Sequence, residues 1–284
     1  MVPTRLGEVE VARSGFGGRG VVLAFPGGHA TAATHLGTDL YTDLGYRVVS
    51  FSRPGYGRTD VGSLMAAEFV PAVADVCTNL GITEATASVG ISFGGLQAVQ
   101  VAVRLANLAP RLVLHSCAPS TLPFPDTARE AMAGPIAFSR RTQALTWRGV
   151  RALTASDRGL RLMMSSLSAV PVDSWWETWT TADRASARAT FATMSSGSGF
   201  TTDLRQGTRS RSRYREEILR SVPCPTLVTA SRTDGGVAFA HAEDFVRAIP
   251  DARLIETGAA SHFHWLGPTR STVSDAIRSF LEKR

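Results

Sequence analysis

A serine stands two residues from a glycine on either side in Gly90-Ile91-Ser92-Phe93-Gly94. The segment before it, Ala85 to Val89, is short and β-compatible. The segment after it, Leu96 to Leu108, is long, almost uniformly apolar and free of Pro and Gly, as a buried helix is. Ser92 therefore sits where a strand turns sharply into a helix. At such a turn the backbone is strained and passes so close to itself that side chains at 90 and 94 would collide. Glycine removes the collision. The hydroxyl then stands exposed at a helix N-terminus, where unbonded N–H groups can face a developing negative charge. This is the spacing of a nucleophile elbow.

A serine hydroxyl is a poor nucleophile at neutral pH. It needs a neutral histidine to take its proton and an acid to orient and stabilise that histidine. Asp234 and His262 follow in that order. Asp234 comes just after the penultimate predicted strand, and Gly235 and Gly236 behind it suit a tight turn. His262 comes after the last predicted strand. His264 is its rival there. The small residues Gly258, Ala259, Ala260 and Ser261 let the loop fold back towards the elbow, and His262 is the first long side chain after them, so His262 is preferred. Asp126 also follows a strand, but about ten residues beyond its end and just after Pro123 and Pro125, and is the weaker candidate for the acid.

The elements that must hold these residues alternate. Strands are predicted at Glu8–Ala12, Gly20–Phe25, Tyr46–Phe51, Ala85–Val89, Leu112–Ser116, Pro225–Ala230 and Ala252–Glu256. Helices are predicted at about 33–44, 63–80, 96–108, 239–249 and 270–281. This β-α-β-α rhythm implies a mostly parallel sheet wrapped by helices. In such sheets ligands bind beyond the carboxyl ends of the strands, and each residue singled out above lies just after a strand. Between Ala118 and about Arg213 the rhythm breaks. Helices are predicted at 127–141, 143–153, 158–167 and 175–194, which reads as an inserted helical cap. Trp175, Trp176 and Trp179 crowd one of them, with packing of cap on core favoured over substrate contact.

With these pieces placed, the chain resembles the α/β-hydrolase superfamily over essentially its whole length. The resemblance rests on Pro26-Gly27-Gly28 after an early strand, Arg53-Pro54-Gly55-Tyr56-Gly57, Gly90-Ile91-Ser92-Phe93-Gly94-Gly95, Thr233-Asp234 and Ser261-His262-Phe263. It implies an α/β-hydrolase fold, with a mostly parallel central sheet flanked by helices. The core would span 1–117 and 214–284, and the cap 118–213. By position, Ser92 would be the nucleophile, His262 the general base and then acid, and Asp234 the orienting carboxylate. The oxyanion hole would be the backbone N–H of Phe93 and that of Gly28, with His29 the neighbouring option. The family often has His-Gly where this chain has Pro26-Gly27.

The resemblance implies an acyl-enzyme mechanism with no metal or organic cofactor, acting on a small-molecule substrate. An elbow serine argues against the family's dehalogenases and epoxide hydrolases, which place Asp there. The first expectation is a serine hydrolase that cleaves a carboxylic ester of a small or medium-sized substrate. The same residues would serve a carbon–carbon bond hydrolase, an iminopeptidase-like peptidase or a cofactor-free perhydrolase. Outside enzymes, a ligand receptor would retain the pocket with little turnover. Fold alone does not choose.

Composition narrows the class. The chain has 284 residues, 44% hydrophobic and 19% charged, with a net charge of +6. Lys283 is the only lysine, and the arginines are scattered apart from Arg205, Arg209, Arg211, Arg213 and Arg215. That cluster has only Tyr214 among it, whereas a nucleic-acid surface wants a basic stripe with interleaved aromatics. It reads as a solvated loop, and no nucleic-acid partner is expected. No apolar run approaches the roughly 18 residues of a membrane span. The N-terminal residues lack a signal peptide's apolar core, so a cytoplasmic protein is expected. Cys77, Cys117 and Cys224 are far apart and form no Cys-x-x-Cys pair, as buried reduced thiols would be.

Overall fold

The computed structural model describes residues 1–125, 138–139 and 142–282. β1 (Val2–Thr4) and β2 (Gly7–Val9) form a small antiparallel hairpin. The main sheet follows with β3 (Val11–Ser14), β4 (Val21–Phe25), β5 (Arg47–Phe51), β6 (Ala87–Ile91), β7 (Leu112–His115), β8 (Thr226–Ala230) and β9 (Ala252–Glu256). Its seven strands lie in the order β3-β5-β4-β6-β7-β8-β9, and only β3 runs antiparallel to its neighbour. The single strand predicted at Glu8–Ala12 is thus two, divided between the hairpin and the edge of the sheet.

Sheet-flanking helices are α1 (Asp39–Asp43), α2 (Ala66–Asn79) and α3 (Gly95–Arg104). Between β7 and β8 come α4 (Gln143–Thr154), α5 (Asp157–Ser165), α6 (Thr181–Thr193), α7 (Gly199–Gly207) and α8 (Ser212–Arg220). The chain closes with α9 (Phe239–Ala248) and α10 (Arg270–Leu281). No helix among the described residues is long and apolar enough to cross a membrane.

Why the sheet is buried on both faces follows from the period-two geometry of a strand. Val21, Leu23 and Phe25 of β4 join one core with Phe69 of α2, Val99 of α3 and Phe245 of α9. Val22 and Ala24 join the opposite core with Leu40 of α1 and Val273 and Ile277 of α10. Both kinds of position are apolar, so β4 and β6 are fully buried along their length. Such a strand is stable only with helices on both sides. The two cores then leave the carboxyl ends of the strands as the place where polar chemistry meets solvent.

Several local expectations change. The helix predicted at 33–44 shrinks to α1 because Gly37 adopts φ +68°, and a Cβ there would lie 2.8 Å from the Trp265 ring. The helix predicted at 175–194 begins only at Thr181. Thr180 and Asp183 form a reciprocal capping box, with the Asp183 N–H donating to Thr180 Oγ1 at 3.1 Å and the Thr180 N–H to Asp183 Oδ2 at 2.8 Å. The three tryptophans before it pack on one another, with ring centroids 5.1–6.2 Å apart. They are buried in the core shared with α10, as the packing reading has it. α7 and α8 lie where no element is predicted. Arg215, expected in a solvated loop, is buried on α8 and donates to the carbonyls of Ser120, Gln206 and Thr208. Its guanidinium thereby ties the exit of β7 to the α7–α8 turn. The three cysteines are buried and unpaired. Asp126 and most of the helix predicted at 127–141 lie outside the described residues.

Backbone approach is very close at the elbow. A Cβ at Gly90 would meet Gly95 Cα at 2.5 Å, and one at Gly94 would meet the Phe25 carbonyl oxygen at 1.8 Å. These are backbone atoms of a packed sheet and helix, which cannot swing aside. Gly94→Ala should therefore lower unfolding free energy in chemical denaturation by about 3 kcal/mol or more, the upper end of overpacking costs. Gly18→Ala, with nothing within 4 Å of the added methyl, should leave it nearly unchanged. Equal effects would remove the steric account of the elbow.

Candidate active site

Ser92 follows the last residue of β6 and opens a short 3₁₀ turn, Ser92–Gly94, that runs directly into α3. Its φ is +53°, a conformation costly for any residue but glycine. β6 and α3 fix both ends of the turn, so the strain is held in place. The hydroxyl is half-buried and has no hydrogen-bond partner among the described residues. Gly27, just after β4, comes so near that a Cβ there would stand 2.8 Å from Ser92 Cβ.

Asp234 lies in the turn after β8 and His262 in the loop after β9. His262 Nδ1 is 2.8 Å from Asp234 Oδ2. The other carboxylate oxygen accepts the N–H groups of Gly236 at 2.7 Å and Val237 at 3.0 Å. Both oxygens are thus occupied, and the carboxylate is fixed against rotation. Burial by itself disfavours the His262 imidazolium. The charge of Asp234 and its hydrogen bond outweigh that and hold the His262 pKa above the ordinary histidine value. The pair is also braced from the segment between β7 and β8. The Leu167 carbonyl accepts the N–H of His262 at 2.8 Å and that of Gly235 at 3.1 Å, and Ser168 Oγ donates to the Ala260 carbonyl at 2.6 Å. One turn after α5 therefore clamps both loops.

His264 lies elsewhere. It is fully buried, with Nδ1 3.0 Å from Ser116 Oγ and Nε2 3.4 Å from Thr229 Oγ1. Burial pushes its pKa well below the histidine range. Of the two histidines after β9, His262 is the one beside a carboxylate.

A third group was legible only as a motif. Arg53, after β5, donates from Nε to the Pro26 carbonyl at 2.8 Å and from Nη2 to the Gly27 carbonyl at 2.9 Å. Its remaining reach goes to Asp203 of α7, at 2.5 Å and 2.8 Å to the two oxygens. Tyr56 Oη donates to the same carboxylate at 2.5 Å. The pair is almost wholly buried, with 6% and 2% of the two side chains exposed. In a trans peptide the C=O and the next N–H point in opposite directions. With its carbonyl on Arg53, the Gly27–Gly28 peptide turns the Gly28 N–H away from the guanidinium.

Ser92, His262, Gly27 and Gly28 line one cavity of about 430 Å³. The rest of its wall is mostly aromatic and aliphatic, including Phe93, Phe124, Trp147, Phe191 and Phe200. Trp175, Trp176 and Trp179 are not among its lining residues. Nowhere among the described residues do three His, Cys, Asp or Glu side chains come together as metal ligands would.

Two outcomes follow from these charges. Asp203→Ala leaves a buried guanidinium uncompensated and should cost about 3–5 kcal/mol in denaturant unfolding, whereas Asp275→Ala, which breaks the exposed Arg278 pair, should cost little. Equal costs would contradict the role given to the buried pair. His29 and His115 are held neutral, each pKa pushed down to about 3 by burial, with the Arg53 charge adding to the effect at His29. In the unfolded chain both protonate near pH 6.5. Stability carried by these two is present above that pH and lost progressively as pH falls from 6.5 towards 3. The raised pKa of His262 acts oppositely, its contribution being present below pH 6.5 and lost as pH rises through the folded value. Unfolding at pH 7.5 and pH 5 should therefore show a net loss at pH 5, and a net gain there would contradict the burial of the neutral imidazoles.

Comparison with known proteins agrees with this architecture. A curated relative, the uncharacterized hydrolase YcgS of Bacillus subtilis (strain 168), is 27% identical over 267 residues, covering 92% of this chain and 91% of the relative. The structure of an alpha/beta hydrolase fold protein from Nakamurella multipartita superposes with a TM-score of 0.78 at 21% identity, covering 98% of both chains. That of a thermophilic esterase from Thermogutta terrifontis does so at 0.68 and 20%, covering 99% of this chain and 96% of the other. The sequence pattern of the alpha/beta hydrolase family matches residues 21–274, which supports a hydrolase function. With the sheet order, the elbow and the match over nearly its whole length, this chain belongs to the alpha/beta hydrolase family.

Proposed function

We propose that the protein is a serine hydrolase that cleaves a carboxylic ester of a small or medium-sized, largely apolar substrate through an acyl-enzyme. The observation that carries this reading is that the elbow serine and the Asp234-paired His262 open into the same apolar cavity. Its volume of about 430 Å³ is in the range of small-molecule sites. Residues 118–213 act as the cap, since α5, α6 and α7 bring Met163, Phe191 and Phe200 to the cavity wall.

Substrate binding brings the scissile carbonyl over Ser92. His262 Nε2 takes the hydroxyl proton as Oγ attacks. Asp234 holds the imidazole by Nδ1 and stabilises the imidazolium that forms. Negative charge develops on the former carbonyl oxygen and is met by two backbone donors. One is the N–H of Phe93, in the first turn of a helix where such groups lack an intrahelical acceptor. The other is the N–H of Gly28, aimed away from Arg53 by the grip on the preceding carbonyl. His262 then returns its proton to the leaving alcohol. Water, deprotonated by the same imidazole, releases the acid and regenerates Ser92. The aromatic and aliphatic wall favours an ester over the charged amino terminus that an iminopeptidase must hold.

Purified protein should turn over short- and medium-chain p-nitrophenyl esters. Ser92→Ala should lower kcat on the order of 10⁴–10⁶-fold and Asp234→Asn on the order of 10³–10⁴-fold. As general base, His262 must be neutral, so kcat/KM should rise with pH through an apparent pKa above the ordinary histidine value of about 6.5. Removing the Asp234 charge should move that inflection down. A Ser92→Ala variant that keeps its activity, or an inflection unmoved in Asp234→Asn, would overturn the assignment.

A further inference from the structure

One polar side chain in the cavity wall has no task in the reaction above. His29 follows Gly28, adopts φ +62° and lines the cavity with its ring packed against both Phe138 and Phe200, centroids 4.2 Å from each. Its backbone carbonyl accepts the Ser195 N–H at 2.8 Å. Its Nδ1 is 2.8 Å from Ser196 Oγ, and Ser196 is completely buried. The same hydroxyl oxygen receives the indole N–H of Trp147 at 2.8 Å. An indole N–H can only donate, so Trp147 takes an acceptor position on Ser196. Among the described residues, the only acceptor within reach of the Ser196 hydroxyl proton is His29 Nδ1. A buried hydroxyl proton without a partner is costly, so Ser196 donates and Nδ1 accepts. The ring proton then sits on Nε2. That nitrogen has no partner among the described residues, and His29 is half-buried where it lines the cavity.

We infer that the Nε2–H of His29 is a specificity-determining donor that selects esters carrying a second, neutral acceptor oxygen, such as a ketone or ether, away from the scissile carbonyl. The inference rests on the esterase reading and names its substrate class. The remaining wall of the cavity is mostly apolar, and Ser166, which also lines it, spends its hydroxyl proton on the Met163 carbonyl at 2.7 Å. A substrate with only hydrocarbon beside His29 leaves a donor desolvated and unpaired. A substrate with an oxygen there pairs it. Burial keeps the imidazole neutral, its pKa near 3 with the Arg53 charge adding to the effect, so the donor neither gains nor loses charge at neutral pH. The Trp147–Ser196 contacts fix the tautomer, making those two residues positioning groups for it.

The test compares p-nitrophenyl heptanoate with its 3-, 4-, 5- and 6-oxo analogues, and a matched alcohol-side series with and without a keto oxygen. Each kcat/KM is divided by the ester's hydroxide-catalysed rate, which removes differences in intrinsic reactivity. At least one keto position should be preferred about tenfold or more. In His29→Phe that ratio should collapse towards one. If the plain heptanoate is not hydrolysed, the esterase reading itself fails. If it is hydrolysed and no keto position is preferred, or the preference survives in His29→Phe, this inference alone is overturned. Long-range ¹H–¹⁵N correlation on the wild-type protein gives an independent readout. The His29 proton is expected on Nε2, and a proton on Nδ1 would overturn the assignment whatever the variants do.

Discussion

One buried ion pair joins the sheet to the helical segment and at the same time shapes the loop beside Ser92. Arg53 spends two of its donors on the carbonyls of Pro26 and Gly27 and two more on Asp203, which sits on α7 and also takes the Tyr56 hydroxyl. Isolated, either charge would be expensive to bury. Together, with Tyr56 and two carbonyls filling the remaining positions, they satisfy one another. Burial opposes the guanidinium's charge, but Asp203 outweighs it and raises the Arg53 pKa still further above its ordinary value. The guanidinium therefore stays charged across the whole accessible pH range. The orientation of the Gly28 N–H and the seating of α7 over the cavity depend on one contact.

The rest of the site is organised by close approach. Gly27, Gly90 and Gly94 each occupy a place where a methyl group would strike a backbone atom or Ser92 itself. Strain at Ser92 is possible because β6 is buried on both faces and α3 is packed along its length. Opposite the elbow, Leu167 and Ser168 bind the loops of Asp234 and His262 at the backbone. Asp234 and His262 are thus held by a segment that contributes neither. Rigidity of this kind is what electrostatic stabilisation of an oxyanion requires, since donors that must reorganise during the reaction lose their advantage.

What could be read from the chain follows the reach of each constraint. The elbow is local: glycine spacing, a strand before and an apolar helix after are all within a short stretch, so Ser92 was legible. Asp234 and His262 were legible as residues just after strands, and small residues before His262 separated it from His264. Arg53 was visible as part of a turn-rich motif, but its partner was not. Asp203 stands in a stretch with no motif that names a partner, and a pairing across 150 residues leaves no trace in periodicity. His29 was visible only as a neighbour of Gly28, because its meaning depends on Ser196 and Trp147, both distant in sequence. Element ends failed for local reasons of their own. A left-handed Gly37 shortened α1, and the Thr180–Asp183 capping box cut α6 free of the tryptophans that periodicity had merged with it. Composition misjudged Arg215, since a buried arginine surrounded by carbonyls reads the same as a solvated one.

The central claim is that Ser92 is an activated nucleophile. The most direct measurement is stoichiometric modification by a fluorophosphonate, which forms a stable adduct at the attacking oxygen, followed by peptide mass mapping. The account predicts one adduct per chain, on Ser92, with activity lost in proportion to labelling and no labelling of Ser92→Ala. An adduct on another residue accompanying the loss of activity, or full ester turnover by protein that cannot be labelled, would contradict it.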